Sequence, residues 1–318
     1  MLPRLNSLWI GEQLGYLEKL TLASALSVGH LFTIYSYTAE KLRGVPNGVE
    51  VRDANEVVPY QALAHYFEGG SAALGTDFFR YAMQAKGLGA WVDLDLYFIR
   101  PIDFDDDYLF GWEHRTSING AVLRLPANSD MVRELCDIPE VNWRPPFYGP
   151  RKTAIFYWRR LTEGDLRPEN YRWGTFGPML LTYLAKKYGV AKRAQKRSVF
   201  YPVTHHNWTL LCGPPELVKA ELTKETRTVH LWRSVLSRKI GDAPPPGSYL
   251  EAICREHGLS LAAPSEDESR IDEAPALSGA RHRGVYEPVH DGVGASASYR
   301  LMSVWSTACW VLIVCAFA

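Results

Sequence analysis

Apolar and polar positions along the first hundred residues switch between two periods. Residues 4–10 (RLNSLWI) look like a first strand. Residues 12–28 place Leu14, Leu17, Leu22, Ala25 and Leu26 at helical spacing, and Gly29 stands where a C-terminal cap is expected. Segments 31–37 (LFTIYSY) and 48–54 (GVEVRDA) predict a second and a third strand. After a polar stretch, Thr76 is the expected N-cap of a helix that Gly87 ends. An apolar strand follows at once. This alternation predicts an α/β fold with a mostly parallel central sheet and helices on both faces.

Further along, 108–113 and 118–125 read as strands and 131–136 as a short helix. Residues 143–174 are aromatic and rich in Pro and Gly, with little periodicity, which suits a lid or a substrate-facing insertion. A helix is expected over 176–188, ended by Gly189, and strands over 198–203 and 228–232. From about residue 262 the chain turns charged, small and poor in aromatics. The expected organisation is a folded domain over 1–260, a disordered linker over 261–300 and an apolar C-terminal segment over 301–318. That last segment carries no charge and is just long enough to be a candidate membrane tail. An interfacial segment, or one with no structural role, fits the same residues.

The chain has 318 residues, enough for one large α/β domain or two small ones. Lys and Arg number 35, as do Asp and Glu, so the formal charge is zero. That argues against a nucleic-acid partner, which calls for a basic excess. Five scattered cysteines without a Cys-x-x-Cys pair predict neither a disulfide framework nor a zinc site, and a reducing compartment fits best. The first fifteen residues lack the apolar core of a signal peptide. A cytoplasmic location is expected, with membrane association possible through 301–318.

The chemistry concentrates at Asp93-Leu94-Asp95, where an apolar run ends. Residues two apart in an extended chain point to one side, so both carboxylates would face one pocket. Carboxylate oxygens suit Mg²⁺ or Mn²⁺, ions commonly shared with substrate phosphates. Aspartates are also common at turns. Here, however, a helix carrying Asp77 and Arg80 precedes the pair, and a bend with Gly87 and Gly89 allows close backbone approach.

The stretch from Thr76 to Asp95 resembles the sugar-binding Asp-x-Asp region of the GT-A glycosyltransferases of family 32. That group is similar to yeast α-1,6-mannosyltransferase, the α-1,4-galactosyltransferases and bacterial capsular-polysaccharide transferases. Thr76-Asp77-Phe-Phe-Arg80 matches the start of the family pattern and Asp93-Leu94-Asp95 its end. Leu88 splits the usual Gly-Gly pair, and Trp91 stands where Tyr is usual. Weaker echoes are Ser7-Leu8-Trp9-Ile10-Gly11, Tyr35-Ser36-Tyr37, Asn119-Gly120-Ala121, Thr175-Phe176-Gly177-Pro178 and His230-Leu231-Trp232.

The resemblance implies a Rossmann-like GT-A fold and a retaining, metal-dependent hexosyltransferase. Its donor would be a nucleoside-diphosphate sugar, with a UDP-sugar favoured over a GDP-sugar. Its acceptor would be a glycan or a lipid-linked sugar. It further implies that Asp95 ligates Mn²⁺ or Mg²⁺ and that Asp93 holds the ribose or reaches the metal through water. His230 would complete the metal site, or serve as a hydrogen-bonded structural histidine. Arg80 would hold a phosphate, orient Asp93 or pair with Asp77, and Asp77 would bond a sugar hydroxyl or that arginine. Trp9, Tyr35 and Trp232 are candidates to stack on base or sugar, against a core role for each. Asn119 contacts the donor sugar or caps a turn. His205 and His206 read as loop residues, with a place near the acceptor as their functional alternative. No phosphate loop, Gly-x-Ser-x-Gly elbow or His-Glu-x-x-His stands in the sequence. A non-catalytic sugar-nucleotide binder is the competing class. A nucleotidyltransferase would need a Gly-rich basic loop after the first strand, where SLWIGEQLG stands instead.

Overall fold

A computed structural model describes residues 2–241 and 243–259. The expected linker at 261–300 and the apolar segment at 301–318 lie outside the described residues. Strand β1 (Leu5–Trp9) leads into helix α1 (Tyr16–Ser27), then β2 (Phe32–Ser36) and β3 (Val49–Asp53). These four elements lie within a few residues of their sequence-based bounds. β1 and β2 pair in parallel with Leu5 opposite Phe32, and β2 pairs with β3 with Phe32 opposite Val49.

Helices α2 (Tyr60–Glu68) and α3 (Ala72–Ala85) come next. The first was expected to be a polar connection. The second begins before Thr76, which therefore sits inside the helix rather than capping it. Gly75 is the reason: it does not break the helix but lies against the ring of Phe67, where a Cβ would fall 2.6 Å from Phe67 Cε1. The two helices touch at that point. As expected, Gly87 lies just past the end of α3.

Strand β4 (Ala90–Val92) pairs in parallel with β1. The chain then leaves the sheet through Asp93-Leu94-Asp95 and enters β5 (Leu96–Phe98). β6 (Leu109–His114) and β7 (Ser117–Arg124) form an antiparallel hairpin, and β7 adds antiparallel to β4. The sheet order is β3-β2-β1-β4-β7-β6. The parallel expectation thus holds from β3 to β4 and fails beyond. Two residues separate β6 from β7, too few for the crossover that a parallel pair requires. The observed fold is α/β with a mixed sheet.

Beyond the hairpin lie α4 (Asp130–Cys136), α5 (Pro150–Glu163), α6 (Leu180–Lys187), α7 (Arg197–Phe200) and α8 (Pro215–Lys219). β8 (Thr228–His230), α9 (Arg233–Lys239) and α10 (Tyr249–Glu256) follow. α5 occupies the stretch read as irregular, and α7 replaces the strand expected at 198–203. A short apolar run such as Ser198–Val203 has no period to separate the two states. β8 pairs antiparallel with β5, placing His230 opposite Leu96.

Alternate residues of the central strands feed opposite cores. Leu8, Tyr35 and Trp91 pack with α2, α3, α4 and α6. Leu5, Phe32, Ile34, Ala90 and Val92 face the other way, against Leu22 and Ala25 of α1. Helices therefore do cover both faces. Among the described residues no helix is long and apolar enough to cross a membrane.

Candidate metal centre

The Asp93-Leu94-Asp95 segment joins the two sheets and is pinned from both sides. Asp93 N–H donates to Ala121 O of β7 at 2.8 Å. Leu231 N–H donates to Asp95 O at 2.7 Å, and Arg233 N–H donates to Asp95 Oδ2 at 2.9 Å. Trp232, between the anchors at 231 and 233, adopts φ +56°, a left-handed conformation that bulky residues rarely take. That turn brings the end of β8 and the start of α9 onto one carboxylate.

Asp93, Asp95 and His230 can each offer a ligand atom within 4.8 Å of the others, so the three could hold a metal ion. His230 Nε2 lies 3.6 Å from Asp95 Oδ1. The ring's Nδ1 accepts from Trp232 N–H at 3.1 Å. In the neutral ring this bond leaves the proton on Nε2, facing Asp95. A cation held at Nε2 would require that proton to move to Nδ1 and the Trp232 bond to yield. The two carboxylates need no such change, and the donor set of hard oxygens plus imidazole fits Mn²⁺ or Mg²⁺.

Arg80, from α3, is buried beside this cluster. Its Nη2 donates to Asp93 Oδ1 at 2.9 Å, and Nη1 lies 3.6 Å from Asp77 Oδ1. Its guanidinium carbon sits 4.9 Å from the centre of the Trp91 ring. Trp91 Nε1 donates to the same Asp93 oxygen at 2.6 Å. Gly120 of β7 makes room, since any Cβ there would collide with Arg80 Nη1. Burial, reinforced by Asp93 and opposed by Arg80, pushes the Asp77 carboxyl up to about 6. Asp77 also abuts Gly177, where a Cβ would fall 2.7 Å from Asp77 Oδ2.

Two residues beside the cluster were missed in the sequence. Glu18 of α1 is buried, with Arg233 Nε 2.5 Å from its Oε1. Burial raises the Glu18 carboxyl above the usual range; Arg233 opposes the shift and Asp95 adds to it. The Arg233 guanidinium lies 5.0 Å from the Trp9 ring centre, and Trp9 Nε1 is buried without a hydrogen-bond partner among the described residues. The available signal was an acidic residue set between Leu17 and Leu22 of α1.

Other expected residues are placed differently. Tyr35 is buried against Phe79, ring centres 5.8 Å apart, and presents no open face to a base. Its position one residue from the end of β2 directs it into the helical core instead. Trp232 is also buried; its Nε1 donates to Val203 O at 3.1 Å, and its ring centre lies 3.9 Å from that of His230. Asn119 has both ends of its amide engaged, Nδ2 with Glu113 Oε2 at 2.9 Å and Oδ1 with Ala121 N–H at 2.7 Å. His205 stands edge-on to Trp232 at 5.4 Å between ring centres, and His206 lies 5.8 Å from His114. A pocket lined by Trp112, Glu113, His114, Arg115, Arg197 and Thr204 opens nearby in sequence.

No family profile matches the chain, and no curated protein matches it. Among solved structures it is similar to one named PaToxG Glycosyltransferase, at 12% identity and a TM-score of 0.39. That match covers 60% of this chain and 73% of the other. A likeness so slight decides nothing about fold or activity.

Proposed function

We propose that the protein is a metal-dependent glycosyltransferase with its GT-A-type domain over residues 1–260. It would move a hexose or N-acetylhexosamine from a nucleoside-diphosphate sugar to an acceptor hydroxyl. The observation that carries this reading is the place of the Asp93–Asp95–His230 cluster. Strand order turns at β1, with β2 on one side and β4 on the other, and the cluster follows the carboxyl end of β4. Open α/β sheets bind ligands in the crevice at such a switch point.

Asp95 and Asp93 would hold Mn²⁺ or Mg²⁺, with His230 completing the set. A cation bound there supplies positive charge to offset the negative charge that gathers on a departing diphosphate. Arg233 adds a second positive charge on the β1 side, and Trp9 beneath it offers a ring to a base or sugar. Arg80 fixes Asp93 by a charge-assisted hydrogen bond. Asp77, which pairs with Arg80, would be the carboxylate that bonds a sugar hydroxyl. Retention of configuration follows from the family resemblance alone; the acceptor would then attack from the face that the diphosphate leaves. Cys136, Cys212 and Cys254 are free thiols, in keeping with a cytoplasmic location.

Thermal shift of the full chain against UDP- and GDP-sugars, with and without Mn²⁺, tests the reading, since a ligand of the folded state raises its melting point. The expected result is a donor-specific rise that needs Mn²⁺, together with release of free nucleoside diphosphate. Binding without turnover would point to a sugar-nucleotide binder. Neither binding nor turnover with any donor would end the proposal.

A further inference from the structure

α5 carries its apolar side outward. Nine large hydrophobic side chains are exposed among the described residues, and five fall between 155 and 173: Ile155, Tyr157, Trp158, Leu161 and Trp173. Phe156 is the one buried residue of the helix. With 3.6 residues per turn, Tyr157, Leu161, Trp158 and Ile155 fall on a continuous arc on the side away from Phe156. Trp158 is 66% exposed and Leu161 80%. A surface helix ordinarily turns such a stripe toward the core.

Charge in this region is as uneven as hydrophobicity. Residues 143–174 hold seven Arg and Lys against three Asp and Glu, a net of plus four, in a chain whose formal charge is zero. Arg159 is engaged with Glu163 and with Asn170 O. Arg151, Arg160 and Arg172 remain exposed. Trp and Leu on one arc with arginines around them match a helix lying in the plane of a bilayer surface. There the apolar side chains enter the boundary between headgroups and acyl chains, and the arginines meet anionic headgroups.

We propose that α5 and Trp173 form a docking surface for a bilayer containing anionic lipid. The surface is coupled to the metal centre by aromatic contacts. Phe156 meets Tyr171 at 6.3 Å between ring centres, and Tyr171 meets Phe176 at 5.3 Å, next to the Gly177 that abuts Asp77. Docking by α5 depends neither on the chemistry of that centre nor on residues 301–318.

The test is co-sedimentation of the full chain with phosphatidylcholine vesicles, with and without phosphatidylserine. Wild type is expected to sediment with the anionic vesicles and to be released by salt. The W158S/L161S variant should lose at least about tenfold in partitioning, because the apolar contribution to interfacial binding goes with those two side chains. R151E/R160E should lose the dependence on phosphatidylserine, and it decides the matter should W158S/L161S fail to fold by circular dichroism. Wild type that stays in the supernatant would overturn the proposal. So would folded variants that partition as wild type does, which would place the binding elsewhere in the chain.

Discussion

Trp91 donates its indole N–H to Asp93 Oδ1 at 2.6 Å, across a single intervening residue. Residues two apart on a strand share a face, so the contact is built into the local chain. Arg80 Nη2 meets the same oxygen at 2.9 Å, and the carboxylate is held by one of its two oxygens. The other oxygen keeps its capacity for a ligand.

Replacing Trp91 with Phe keeps a ring under Arg80 and removes the donor. A hydrogen bond to a charged group contributes about 1.5–3 kcal/mol, so W91F should lose roughly that in urea unfolding. Metal-dependent turnover should fall in the same variant. Unchanged stability and turnover would show that the indole N–H has no part in holding Asp93.

Asp95→Asn should abolish metal-dependent transfer while sparing the fold. The amide oxygen can still accept from Arg233 N–H, so unfolding should shift by no more than about 1 kcal/mol. His230→Ala should weaken apparent Mn²⁺ affinity by at least about tenfold, the scale seen when supports of a metal site are lost. Isothermal titration with Mn²⁺ and a donor measures both. Full activity in D95N would remove the aspartate from any metal role.

Among the described residues, Arg80 is the buried cation that faces both Asp77 and Asp93. Arg80→Met leaves two carboxylates without it. Breaking a buried pair by deleting one partner costs about 3–5 kcal/mol, and R80M should lie at or near that range in denaturant unfolding. Gly120→Ala should act on the same contact by displacing the guanidinium. It should lower turnover more than stability, because the arginine can shift its end while Asp93 loses its aim.

Asp77 gives a pH signature of defined sign. Its carboxyl titrates near 6 in the folded chain, above the usual 3.8. The folded state therefore binds more protons than the unfolded state between those values. This group's contribution to stability is greatest below about pH 4 and falls as pH rises through 6, by up to about 3 kcal/mol. The unfolding free energy of wild type minus that of Asp77→Asn should fall as pH rises through that window. A difference independent of pH would mean that Asp77 ionises normally.

The local chain made much of this readable. Strand-like segments located β1, β2 and β3, helical spacing located α1, and the spacing of Asp93 and Asp95 marked the candidate centre. The bend between α3 and β4 was legible too: Gly89 has φ +108°, and a Cβ there would fall 2.8 Å from Arg4 O. His230 came from resemblance, since nothing in its own neighbourhood distinguishes a ligand from a buried histidine.

Tertiary structure decided what lies across from what. Tyr35 and Trp232 are aromatic residues near strand ends in either reading; only packing against Phe79 and His230 assigned them to the interior. Glu18 and Arg233 are more than two hundred positions apart, and no periodicity announces their ion pair. α5 formed in a stretch whose sequence shows little periodicity, and only the fold shows that its apolar arc faces outward. A sequence fixes which side of a strand or helix each residue occupies, because bond geometry is local. Which partner meets that side depends on how separate elements share one core, and that competition is settled only when the whole chain has folded.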